Sequence, residues 1–274
     1  MASFITIQEN DELERAAKSL TLAPFWHRRV GDVRIANPFR ERKQAWETIR
    51  ATLRTSRTDA VLVSMFLERD LLTAAYLLAP LRGYEAMNAP STIRIALVLP
   101  KDSPFNATTL KGEVAVVSLP ELQLKGKGCA QLRERLFEVL SPDADGDILI
   151  VEDQPGVRGN LKQEMRMGWF GGKQVHILEF DKAHDLLLTG AKPAAIVTDL
   201  IEVVNRPQYD HTGLGLYLIA RSTPRLHGTV PVLYSTRTLT NPNDPCPGTL
   251  RAFDEVFIQD AMLEARLDAF LKQV

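Results

Sequence analysis

The chain has 274 residues, a formal net charge of −1, 45% apolar residues and 24% charged residues. At roughly 100–200 residues per domain this is an ordinary globular composition with material for two cores. The near-zero charge provides no global field toward nucleic acid or anionic lipid, so neither is an expected partner. No run reaches the roughly 18 apolar residues that a membrane span needs.

The opening MASFITIQENDELERAAK lacks the basic-then-apolar order of a secretory leader. The expectation is a cytoplasmic protein. Cys129 and Cys246 have no ligand-like spacing, so neither a zinc site nor a disulfide framework is expected.

In chain order, FITI (4–7) predicts a strand, and DELERAAKSL (11–20) a helix with Leu13, Ala16, Ala17 and Leu20 on one face. DVRIA (32–36) is strand-like, and residues 40–56 have helical spacing around Ala45, Ile49 and Leu53. DAVLVSMF (59–66) is a continuous apolar run, the pattern of a strand buried on both faces. A largely apolar helix is predicted over 69–81, strands over 92–100 and 112–120, and a helix over 130–140.

SPDADGD (141–147) is short, polar and carries Pro and Gly, and it reads as a boundary between domains 1–142 and 143–274. Beyond it, DILIV, QVHILEF, AAIVTDLI, VPVLYST and DEVFI read as strands, with helical stretches after DILIV, QVHILEF, AAIVTDLI and DEVFI. Such alternation implies parallel sheets covered on both faces. The expected fold class is therefore α/β, with two Rossmann-like three-layer domains, the C-terminal one flavodoxin-like with five β–α units. FITIQENDELERAAKSL and ILIVEDQPGVRGNLKQEM both run strand, acid, helix. Two related units and the common look of a first β–α pair both account for that.

Glu152 and Asp153 end the first strand of the C-terminal half, and Asp199 ends the third. In a parallel α/β sheet, ligands gather at the carboxyl ends of strands. Three carboxylates converging there repel one another unless a hard dication such as Mg²⁺ sits among them.

Residues 147–274 resemble the receiver domain of bacterial response regulators in the ordered motifs ILIVED, IVTDLI, GLGLYLIARSTP, VPVLYST and FDEVFIQD. The resemblance implies a signalling protein working through protein–protein contacts, with Asp199 as phosphoacceptor and Thr236 as switch hydroxyl. It also implies Glu152, Asp153 and Asp199 as Mg²⁺ ligands, and a histidine kinase as a partner. The oligomeric state is not set by the sequence, a homodimer being one option.

Two departures stand out. Receivers carry a Lys and then a Pro at the end of the fifth strand, where this reading finds Gln259 and Asp260. Arg237, after Thr236, is a candidate replacement for the missing cation. A constitutive pseudo-receiver adaptor is therefore an alternative.

In the first half, IRATLRTSRTDAVLVS is weakly similar to the middle of a TIR domain. That similarity implies an NAD-cleaving enzyme as a further alternative, with Glu68 the nearest acid to Ser64. GLGLYL (213–218) lacks the third Gly of a dinucleotide fingerprint, and no P-loop, G-x-S-x-G or H-E-x-x-H occurs. His211, beside Asp210, is the most functional-looking of the five histidines.

Overall fold

The computed structural model describes the chain apart from residues 10, 88–92, 124–125, 142, 166–171, 201, 206–207, 211 and 237–247; for 86–87, 202–205 and 208–210 only the backbone is described. Arg237, His211 and Cys246 lie outside the described residues.

Ten strands build two parallel five-stranded sheets: β1 (Ser3–Gln8), β2 (Arg28–Arg34), β3 (Ala60–Ser64), β4 (Arg94–Leu99), β5 (Val117–Ser118), β6 (Ile148–Val151), β7 (Val175–Leu178), β8 (Ala195–Asp199), β9 (Val230–Ser235) and β10 (Glu255–Ile258). The main helices are α1 (Asp11–Leu20), α2 (Arg42–Thr55), α3 (Ala75–Met87), α4 (Lys127–Val139), α5 (Pro155–Met165), α6 (Phe180–Leu188), α7 (Thr212–Ser222) and α8 (Leu263–Leu271). The protein is thus α/β, with two Rossmann-like three-layer units. Ala60–Ser64 and Ile148–Val151 are buried at every position, which explains their unbroken apolar runs: a strand covered on both faces has no polar side to show. In α1, Leu13, Ala16, Ala17 and Leu20 face the core, with Asp11, Glu12 and Glu14 in the first turn and Lys18 in the last, each suiting the helix dipole.

The chain divides differently from the expected 1–142 and 143–274. One unit comprises Met1–Gly112 and Arg251–Val274, and the other Glu113–Leu250. The first sheet runs β10-β4-β3-β1-β2 and the second β7-β6-β8-β9-β5. The first has the flavodoxin-like order second-first-third-fourth-fifth, and the second has the same places filled, but the strand in its fifth place, β5, comes first in that unit's chain, a circular permutation.

The fifth strand of each is the one that linear reading gives to the other. β10 lies beside β4, with Val256 opposite Leu97, and β5 lies beside β9, with Ser118 opposite Ser235. The following helices go with their strands. Leu267 and Phe270 of α8 pack with Phe4, Leu13 and Leu62, whereas Leu132 and Leu136 of α4 pack with Ile148, Ile150 and Tyr234. The last β–α pair of each linear half has changed places, and the second unit is inserted into the first. The expectation that DEVFI closes the receiver-like sheet is therefore corrected, and with it the placing of Gln259 and Asp260 at that sheet's rim. A parallel strand needs no sequence neighbour as partner, because a long crossover reaches any position.

The two sheets also share their register. Ile7 lies opposite Val63 and Val151 opposite Thr198, so Gln8 and Ser64 occupy the stations of Glu152 and Asp199. The Met65 N–H donates to Val98 O at 2.9 Å and the Leu200 N–H to Tyr234 O at 2.7 Å. The Gln259 N–H donates to Leu99 O and the Leu119 N–H to Ser235 O, both at 2.8 Å. The paired openings FITIQE and ILIVED thus occupy equivalent places.

Smaller corrections are local. The helix expected at 69 begins at Ala75, because Leu67–Glu68 and Leu71–Leu72 first form a tight antiparallel ladder around Arg69, whose φ is 61°. The run 112–120 is broken into Glu113–Ala115 and Val117–Ser118. The loop expected after Asp199 contains an antiparallel pair, Glu202–Asn205 with Gln208–Asp210.

Candidate functional site

The site lies at the carboxyl ends of β6, β8 and β9. Neighbouring strands β6 and β8 end level with each other, so Glu152 and Asp199 emerge side by side and Asp153 follows. One carboxylate oxygen from each of the three falls within 4.8 Å of the others. Glu152 and Asp199 are buried and Asp153 is half-buried.

Glu152 is held from two directions. Its Oε1 accepts from the backbone N–H of Gln154 at 2.8 Å, and its Oε2 accepts from the Tyr234 hydroxyl at 2.7 Å. Burial pushes the Glu152 carboxyl up to about 7; the charge of Asp153 adds to this, and the two hydrogen bonds oppose it. Burial also drives the Tyr234 phenol well above its usual range, helped by the charges of Glu152 and Asp199. Near neutrality, then, a proton is readily held on Glu152, which relieves the repulsion that three carboxylates would otherwise create.

Thr236 follows β9, and its Oγ1 accepts from Gln154 Nε2 at 3.4 Å. Gln154 thereby links the turn after the first strand to the hydroxyl after the fourth. The Arg158 guanidinium, on α5, donates to the backbone carbonyls of Glu152, at 3.0 Å, and Asp153, and pairs with Glu179 at 3.2 Å. It fixes the acidic turn through its backbone and leaves the carboxylates to the pocket.

The far wall depends on Gly213. A Cβ there would lie 1.9 Å from the backbone O of Asp199, so only glycine lets α7 begin directly against the end of β8. Sequence reading passed over this residue when GLGLYL failed as a dinucleotide motif. It also passed over Tyr234, although a tyrosine in an otherwise apolar strand signals a hydroxyl that needs a buried partner.

The residues fit a small hard dication. Neighbouring oxygens around octahedral Mg²⁺ stand about 3 Å apart, so three oxygens within 4.8 Å of one another would have to draw together by up to about 2 Å to close on an ion. All three donors are oxygens, the ligand type such an ion prefers.

In the first unit the corresponding stations are occupied differently. Gln8 is at the place of Glu152, and Ser64, whose Oγ accepts from the Glu9 N–H at 3.2 Å, at that of Asp199. The Glu68 carboxylate accepts from Asn37 Nδ2 at 2.8 Å and pairs with Arg40 at 3.2 Å, so it is occupied as a structural tie. Among the described residues no helix is long and apolar enough to cross a membrane.

No protein-family model matches the chain, and no curated protein matches it. Among solved structures, a similar chain is the transcription regulator CcpA of Lactococcus lactis, 12% identical, with 81% of this chain and 73% of that chain covered at a TM-score of 0.25. A superposition that loose carries no argument about this chain's activity.

Proposed function

We propose that the protein is a signalling protein whose inserted unit is a divergent receiver, controlled by phosphorylation of Asp199 and acting through protein partners. The observation that carries this reading is the convergence of Glu152, Asp153 and Asp199 within 4.8 Å at the rim of a flavodoxin-like sheet. The strand exchange takes FDEVFIQD out of this unit and changes which residues close its sheet. The residue after the fifth strand of this sheet is Leu119, and Pro120 follows it, as proline does in receivers. The cation expected at that position is replaced by an apolar side chain.

An Asp199 oxygen attacks the phosphorus of an acyl phosphate or of a kinase phosphohistidine. The bond from phosphorus to the donor's oxygen or nitrogen breaks, and an aspartyl phosphate forms. Mg²⁺ held by Glu152, Asp153 and Asp199 would offset the charge of the incoming group. Thr236, whose Oγ1 already accepts from Gln154, has its proton to donate to a phosphoryl oxygen. Its movement, or that of Gln154, is a local change able to repack the surface around β9.

The test is to incubate the full chain with Mg²⁺ and acetyl phosphate and weigh the intact protein. One added phosphoryl group in wild type, absent in Asp199→Asn, is the expected result; no addition in wild type sinks phosphorylation. A second reading, a phosphorylation-independent adaptor, is favoured by one observation: both Glu152 oxygens already have donors, and the usual lysine position is Leu119. Thermal unfolding against Mg²⁺ separates the two, because a binder gains stability by mass action and an adaptor gains none.

A further inference from the structure

A cleft of ≈ 590 Å³ opens in the inserted unit between α6 and the edge of the sheet formed by β7 and β6, reaching from Gly146 and Asp147, before β6, to Leu178 at the end of β7. Its size falls within the roughly 300–1,000 Å³ typical of small-ligand sites. The walls are chiefly apolar, from Leu149, Leu178, Leu186 and Pro193. Lys182 and Lys192 stand at the mouth, together with His176, whose Nε2 lies 2.9 Å from Asp147 Oδ2.

Hydrogen bonds tie the walls of the cleft to the rest of the unit. Arg225 donates to Leu187 O at 2.7 Å and to Ala191 O at 3.4 Å, and the Thr229 hydroxyl to Pro193 O at 2.7 Å. A Cβ on Gly146 would lie 2.6 Å from Lys192 O, so the two sides of the mouth are in direct backbone packing. A preformed wall lowers the ordering cost of binding.

We infer that this cleft is a second ligand site, for a small carboxylate with an apolar body. The apolar walls suit the body, and an ammonium group at the mouth suits a negative head. Asp147 already engages His176, and Glu179 lies 3.6 Å from Lys182, leaving Lys192 as the principal cation for the ligand. A bare phosphate would leave the apolar walls uncovered. The lining includes none of Glu152, Asp153, Asp199 and Thr236, so the site stands apart from the phosphorylation reading.

Titration calorimetry of the full chain with octanoate tests it, with 1-octanol as the uncharged probe. Octanoate is expected to bind saturably and more tightly than octanol. Lys192→Gln should weaken octanoate about fivefold, the upper range for an exposed ion pair, and leave octanol unchanged. Leu186→Asp, at a partly exposed wall position, should abolish both. Absence of saturable heat, octanol binding as well as octanoate, or binding indifferent to both substitutions would each overturn the assignment.

Discussion

The two units share a sheet order, a register and the hydrogen bonds that close the third-to-fourth and fourth-to-fifth strand ends, yet their carboxyl rims have opposite electrostatics. In the first unit the buried Gln8 amide donates to Glu14 and to Asp32, both at 2.7 Å, and Arg29 pairs with Glu14 at 2.6 Å. Burial by itself would raise the Glu14 carboxyl, but hydrogen bonds from Gln8, Arg29 and Lys18 bring it down to about 2. In the inserted unit, burial wins and Glu152 rises to about 7. Backbone topology decides which stations converge. Whether a buried acid there is stabilised as an anion depends on whether cations and amide donors or further acids surround it. One rim is a network of acids tied to amide donors and cations, and at the other, among the described residues, three acids lie beside one another.

The largest expected effect concerns the exchange itself. A fragment spanning 113–250 contains all five strands of the inserted unit and should unfold cooperatively. A fragment spanning 143–274 lacks β5 and α4, and should show no cooperative melt by circular dichroism. Folding of the second and failure of the first would mean that the linear halves, and not the exchanged units, are the folding entities.

Next come the glycines. Gly213→Ala drives a Cβ into the backbone O of Asp199 and should cost about 3 kcal/mol in denaturant unfolding. Gly159→Ala, in α5 with nothing within 4 Å of the new methyl, should instead stabilise by about 1 kcal/mol. Equal effects at the two positions would remove the claim that α7 is seated on the end of β8.

The pH profile sharpens the contrast between rims. Glu152 keeps its proton in the folded state to about 7, above its ordinary 4.5, so the folded protein holds more protons than the unfolded one across that window. Its contribution to stability is present at acid pH and lost as pH rises through about 4.5 to 7. Glu14 is the reverse: its contribution is present above 4.5 and lost as pH falls toward about 2. Metal-free melting curves should show Glu152→Gln flattening the neutral limb and Glu14→Gln flattening the acid limb. Identical profiles for the two variants would break the comparison.

The last comparison is Tyr234→Phe. It removes one hydrogen bond to Glu152 and should cost about 1–2 kcal/mol. Loss of that donor also raises the Glu152 carboxyl further, moving the fall in stability to higher pH. A variant as stable as wild type at every pH would show that this hydroxyl does not hold the acid.

The alternation of strands and helices was legible because period-2 and period-3.6 patterns are local properties of the chain. The acid pair of Glu152 and Asp153 and the separate Asp199 were legible for the same reason: a carboxylate closing an apolar run shows without knowledge of neighbours. The ladder before α3 was not, since nothing in the composition of 67–72 outweighs its helical spacing. Tyr234 and Gly213 have roles that exist only across strands, where one hydroxyl meets one carboxylate and one missing Cβ admits one carbonyl.

By itself, the sequence determined the α/β class, most of the β–α elements, and the three carboxylates placed at strand ends. Only the tertiary structure decided which sheet each strand joined, so that DEVFI closes the first unit and the short Val117–Ser118 strand closes the second. The reason is that elements are written in local periodicity, whereas parallel strands pair through long crossovers. Two apolar strands with similar patterns compete for the same edge until the helices that follow them, Leu132 and Leu136 in one case and Leu267 and Phe270 in the other, find the core they fill.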